Sequence, residues 1–169
     1  IIMHFINVSF STLSVLGLYL LTKKLFNKKI ALITILLTLM NPFFFGHMGM
    51  NSKDIIVFFG FVWFCYYFYL YCTENKNVFK NLILFSFFIG FGCGVRLALL
   101  MPILPVVLIG FYYLIRKYKT NYYSLVKRLS LHIPLAFCFC LFLVVLCWPH
   151  VIVEINKNNF FEVFSTVIN

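Results

Sequence analysis

Residues 81–115 read NLILFSFFIGFGCGVRLALLMPILPVVLIGFYYLI, and Arg96 is the only charged side chain among them. A single helix of that length would extend ~52 Å at ~1.5 Å per residue, far more than the ~30 Å hydrocarbon layer of a membrane. Two helices joined by a tight hairpin near Arg96 fit the membrane better. Gly90, Gly92 and Gly94 allow close helix packing just before that turn. The stretch therefore predicts a pair of transmembrane helices.

The rest of the chain has the same apolar character. Hydrophobic residues make up 63% of its 169 residues, charged residues only 11%, and the mean hydropathy is +1.01. A water-soluble domain of this size cannot bury so much apolar surface. Unpaired backbone groups are excluded from lipid, and the apolar runs are too long for the strands of a membrane barrel. We therefore predict an all-α polytopic bundle of about six spans, at residues 1–22, 30–46, 55–72, 81–95, 97–115 and 130–148.

The end of the chain has a different pattern. Trp148 and Pro149 interrupt the last apolar run, and residues 149–169 mix aromatic with charged side chains. This pattern is typical of an interfacial helix, here expected on the outer surface. The chain begins with Ile1 and stops within this amphipathic stretch, so we expect it to be a fragment truncated at both ends.

Basic residues predict the orientation of the bundle. Three of the Lys and Arg residues, namely Lys53, Arg96 and Lys157, lie on one predicted side of the membrane. The other eleven fall in the alternate loops: Lys23, Lys24, Lys28, Lys29, Lys76, Lys80, Arg116, Lys117, Lys119, Lys127 and Arg128. Loops rich in Lys and Arg face the cytoplasm, so both ends of the chain are predicted outside. Because topology explains the net charge of +10, nucleic acid is not an expected partner.

Polar residues gather in the outer loop at residues 46–54. His47, Asn51, Lys53 and Asp54 all lie within it, and ionisable groups next to a membrane are functional candidates. Asp54 would orient the acceptor of a transferred group or help to hold a divalent metal ion, and His47 is a second candidate ligand for that ion. Lys53 and Asn51 would bind the phosphate of a substrate. Each residue also has a purely structural interpretation. Asn51 would cap the next helix, with Asp54 in the first turn of that helix. Lys53 would reach the lipid headgroups, and His47 would be a solvated loop residue.

Arg96 is the other candidate. Burying it in lipid would cost roughly 2.5–3.5 kcal/mol, so it is expected to face water, protein or a lipid phosphate. Its planar guanidinium suits paired hydrogen bonds to the phosphate of a polyprenyl carrier. The alternative is an arginine that only reaches the outer interface.

Three stretches of the chain resemble one known family. The first is residues 18–47, which contain a basic turn and a span that ends near Pro42. The second is Asn51-Ser52-Lys53-Asp54-Ile55, and the third is residues 90–97, which are followed by Pro102. Their order resembles that of the bacterial membrane glycosyltransferases related to dolichyl-phosphate-mannose protein mannosyltransferases and to the lipid A aminoarabinose transferase, which have the C-type glycosyltransferase fold. In that family an Asp at the place of Asp54 faces the active-site cavity.

The resemblance implies an enzyme of the bacterial inner membrane. It would move a sugar from a polyprenyl-phosphate donor to a lipid, glycan or protein acceptor on the extracytoplasmic side. The family's principal catalytic acid lies upstream of the first span, outside this chain, so the fragment alone is expected to be inactive. A transporter or flippase segment is the main alternative, because spans interrupted by Pro102, Pro105 and Pro134 also occur along translocation paths. A purely structural membrane subunit is a third interpretation.

Overall fold

The computed structural model describes residues 2–50, 52–119 and 122–148, without the side chains of residues 47–50 and 52. All regular structure within these ranges is helical, which confirms the predicted all-α class. The elements are α1 (Ile2–Leu25), α2 (Lys28–Met40), α3 (Pro42–Met50), α4 (Ser52–Thr73), α5 (Val78–Val95), a short 3₁₀ turn (Leu97–Leu99), α6 (Leu100–Lys117) and α7 (Tyr122–Cys147). The predicted interfacial segment at residues 149–169 lies outside the described residues.

Five of the described helical segments are long and apolar enough to cross a membrane. They are Ile2–Leu25, Lys53–Thr73, Val78–Val95, Leu97–Lys117 and Tyr122–Cys147. The chain turns between the third and fourth of these at Arg96, whose backbone is extended (φ −151°, ψ 119°). The protein is therefore a multi-pass membrane protein.

The predicted span at residues 30–46 needs correction, because the structure divides it into α2 and α3. Proline has no N–H to donate, and its ring disfavours a helical conformation in the residue before it. Asn41, which precedes Pro42, accordingly adopts an extended backbone (φ −71°, ψ 114°), and its side chain accepts a hydrogen bond from the Phe43 N–H at 2.9 Å. With 13 residues, α2 is ~20 Å long and does not span the hydrocarbon layer alone.

Glycines bring α5 close to helices on both of its sides. A Cβ atom on Gly60 of α4 would lie only 3.1 Å from the Gly92 Cα and 3.0 Å from the Phe88 carbonyl oxygen. On the other side, a Cβ on Gly90 would meet the Cys140 carbonyl oxygen of α7 at 3.1 Å. Helix α5 therefore lies between α4 and α7, and α1 packs against α4.

Basic side chains tie three loops together at one end of the bundle. Lys24 in the last turn of α1 pairs with Glu74 after α4 at 3.0 Å. The Lys117 ammonium group donates to the Cys72 and Thr73 carbonyl oxygens at 3.1 and 2.9 Å. These carbonyls lie at the C-terminus of α4, where cations are favourable. The three basic loops thus share one end of the molecule, which we call the basic end.

We predict that Gly60→Ala destabilises the bundle and that Gly46→Ala does not. The new methyl group at residue 60 would press on backbone atoms of α5, and overpacking of this kind typically costs ~1–3 kcal/mol. Within the described part of the chain, no heavy atom of a packed neighbour lies within 4 Å of a Cβ placed on Gly46, so the control substitution meets open space there. Thermal unfolding in detergent micelles should give a lower Tm for Gly60→Ala alone. Equal Tm values for the two variants would contradict the close α4–α5 contact.

Candidate functional site

Asp54 and Arg96 form an ion pair at the end of the bundle opposite the basic end. The Arg96 Nη1 atom lies 2.5 Å from the Asp54 Oδ1 atom, although 42 positions separate the residues in sequence. Asp54 lies in the first turn of α4, and Arg96 follows the last residue of α5. The structure therefore brings together two candidates that the sequence pattern identified separately.

The ion pair is accessible from outside the protein. The side chains of Arg96 and Asp54 are 55% and 36% exposed. Exposed ion pairs typically contribute only ~0–1 kcal/mol to stability, so the fold does not depend on this contact. A guanidinium has five N–H donors, and the contact with Asp54 Oδ1 engages the Nη1 group. Further donors of Arg96 are accordingly suited to binding an anion.

Hydrogen bonds of the backbone fix the position of Arg96. Its N–H donates to the Gly92 carbonyl oxygen at 3.0 Å, which closes the last turn of α5. Its own carbonyl oxygen accepts from the Leu99 N–H at 3.2 Å, which opens the 3₁₀ turn. The residue is thus held on both sides while its side chain reaches back to α4.

Two further side chains lie at the same end of the bundle. Lys53 is exposed and directly precedes Asp54, so it adds a second cation. Trp148, at the end of α7, donates from its indole Nε1 to the Gly94 carbonyl oxygen at 2.5 Å. Trp148 was not among the site residues predicted from the sequence, although a tryptophan at the end of a span is typical of the membrane interface. Its hydrogen bond fixes the end of α7 two residues from Arg96.

The remaining candidates fall outside the part of the chain that the structure describes. Asn51 and the side chain of His47 belong to that group, so their predicted roles in binding phosphate and metal stay predictions. Among the residues that the structure describes, no three His, Cys, Asp or Glu side chains are grouped so that they could hold a metal ion. Asp54 as a metal ligand is therefore also still a prediction.

An apolar cavity of about 420 Å³ lies between α4, α5, α6 and α7. Leu97 and Leu100 line it near Arg96, and Tyr71 and His132 line it near the basic end. A hydrogen bond of 2.9 Å joins the Tyr71 Oη and His132 Nδ1 atoms. The volume lies in the ~300–1,000 Å³ range of ligand pockets. This cavity was not predicted from the sequence.

Comparison with known proteins identifies the family of the chain. No characterised protein matches it significantly, and neither does any solved structure. The profile of the family described as dolichyl-phosphate-mannose-protein mannosyltransferase matches residues 2–148, which is most of the 169-residue chain. This agrees with the multi-pass helical architecture. The chain therefore belongs to the dolichyl-phosphate-mannose-protein mannosyltransferase family of membrane glycosyltransferases.

Proposed function

We propose that this chain is part of an enzyme that moves a sugar from a polyprenyl-phosphate donor to an acceptor on the extracytoplasmic side of a bacterial inner membrane. The single observation that carries the proposal is the exposed Asp54–Arg96 ion pair at the end opposite the basic loops. Family membership supports a glycosyltransferase over the transporter alternative. The location of the charges supports the outer side, because basic loops face the cytoplasm.

The donor phosphate would bind at Arg96. A polyprenyl carrier is anchored in lipid by its chain, so its phosphate lies at the membrane surface, where the α5–α6 turn presents this arginine. The guanidinium fork matches phosphate oxygens, and the exposed Lys53 adds a point charge nearby. These cations would stabilise the negative charge that develops on the departing phosphate.

The transfer step itself exchanges one bond for another. An acceptor hydroxyl or amine attacks the anomeric carbon of the sugar, a new bond forms there, and the bond from that carbon to the phosphate oxygen breaks. The phosphate leaves on its carrier, and the proton of the acceptor passes to a carboxylate base. By family resemblance that base lies upstream of this chain. Asp54, which Arg96 holds at the surface, would orient the acceptor.

We predict that Arg96→Gln lowers sugar transfer by full-length protein about 100-fold, the effect typical of losing one donor to developing charge. Asp54→Asn should lower transfer by about the same factor, because a misplaced acceptor can cost ~10²-fold in rate. Arg96→Lys keeps the charge but loses the fork, so its activity should be intermediate. Transfer of radiolabel from polyprenyl-phosphate-mannose to acceptors in native membranes provides the measurement.

Lys24 and Glu74 supply a matched control for these variants. They form a similarly exposed ion pair at the basic end, with side chains 50% and 42% exposed. Lys24→Gln and Glu74→Gln should therefore retain transfer while removing the same charges. If the control variants lose as much activity as the Asp54 and Arg96 variants, or if neither pair matters, the site assignment is wrong.

A separate prediction concerns the side of the membrane. In a cysteine-free background, Ala98→Cys in the exposed 3₁₀ turn should react with a membrane-impermeant maleimide on intact cells. Asn75→Cys in the loop after α4 should react only after the cells are opened, because that loop belongs to the basic end. The reverse pattern would place the ion pair in the cytoplasm and exclude transfer on the outer side.

A further inference from the structure

Helices α6 and α7 follow one another in sequence but leave a cleft between them. Helix α6 packs against α4, where Gly110 faces the Phe68 ring, whereas α7 packs against α5 at Gly90. The cleft is the open side of the apolar cavity described above. Ile133 and Phe137 line it, although 49% and 62% of their surfaces are exposed. The cavity is therefore open sideways to the lipid.

Basic side chains lie in and next to the segment that joins α6 to α7, at the basic end of this cleft. Arg116 and Lys119 lie where α6 ends, and Lys127 lies in the first turns of α7; all three are exposed. The Arg128 guanidinium carbon lies 4.4 Å from the centre of the Tyr71 ring, which itself lines the cavity. Among the described residues, none of these cations forms an ion pair with a carboxylate.

Arg128 has a different role from the exposed cations. It donates from Nη1 to the Tyr118 hydroxyl at 2.8 Å and from Nη2 to the Tyr71 carbonyl oxygen at 2.7 Å. These bonds connect α7 to the end of α4 and to the turn after α6. Its Nε atom is buried and has no hydrogen-bond partner among the described residues. Arg128 therefore holds these helices together, and headgroup binding is left to the exposed cations.

We infer that the α6–α7 cleft binds one anionic phospholipid of the cytoplasmic leaflet. One acyl chain lies in the apolar cavity, and the phosphate lies between Lys119 and Lys127. A cleft open to lipid is filled by hydrocarbon, and basic pockets between transmembrane helices on the cytoplasmic side favour anionic headgroups. The leaflet follows from the topology proposed above, whereas the site itself rests on the cavity and on the exposed basic side chains at the α6–α7 connection.

Selective retention of lipid tests this site. Full-length protein in mild detergent would be mixed with equal amounts of phosphatidylglycerol and phosphatidylcholine that have the same acyl chains, without sugar donor. The lipid molecules that stay bound to the protein would then be counted by native mass spectrometry. Wild-type protein should retain one phosphatidylglycerol in preference to phosphatidylcholine. The double variant Lys119→Gln/Lys127→Gln should lower this retention roughly tenfold or more, because each cation near a lipid surface contributes to anionic lipid binding.

Two matched controls separate the cleft from general surface charge. Lys76→Gln/Lys80→Gln removes the same charge from the neighbouring basic loop and should leave retention unchanged. Ile133→Trp fills the cavity and should abolish lipid retention. Leu131 is on the same helix, but it is 68% exposed and does not line the cavity. The Leu131→Trp variant should therefore still retain the lipid.

Three results would overturn the inference. Equal retention of the two phospholipids, or equal loss in the Lys76 and Lys80 control, would show that the cleft does not select an anionic headgroup. Displacement of phosphatidylglycerol by an equimolar polyprenyl phosphate would assign the cavity to the donor chain instead. Since no sugar is transferred in this measurement, its failure is distinct from failure of the proposed activity.

Discussion

The hydrocarbon interior of a membrane offers no hydrogen-bond partner to a polar group, and the arrangement of this bundle follows from that constraint. Buried hydroxyl groups along the spans bond to their own helices. Ser11 donates to the Asn7 carbonyl oxygen at 2.8 Å, and Ser86 donates to that of Leu82 at 2.7 Å. Charged groups are displaced to the two surfaces, where water, headgroups or each other can satisfy them.

The two ends of the bundle use their charges differently. At the basic end, Lys117 and Arg128 donate to carbonyl oxygens at the C-terminus of α4, so these cations are part of the fold. At the opposite end, Arg96 pairs with the exposed carboxylate of Asp54, and this contact contributes little to stability. A charge that the fold does not need is a better candidate for binding a substrate. This contrast favours the end that carries Asp54 and Arg96 as the active side of a family glycosyltransferase.

Much of this organisation could be predicted from sequence, because apolar run length and basic loops act locally. The break at Asn41 and Pro42 was also readable from the proline, although a single span was predicted across it. Contacts between distant residues could not be predicted: nothing in the sequence fixes the distance from Asp54 to Arg96. The cavity could not be predicted for a similar reason. It forms because α6 packs against α4 whereas α7 packs against α5, and the sequence does not specify these long-range contacts.

Glycine packing connects the fold to the site. The Gly60–Gly92 contact sets the separation of α4 and α5, and four residues after Gly92 the chain reaches Arg96. Asp54 lies in the first turn of α4, which begins at Ser52 and continues to Gly60 and beyond. A larger separation at the glycines would move the guanidinium away from the carboxylate, since both side chains leave from helix ends. The small residues that pack the helices in the membrane therefore also set the geometry of the ion pair at its surface.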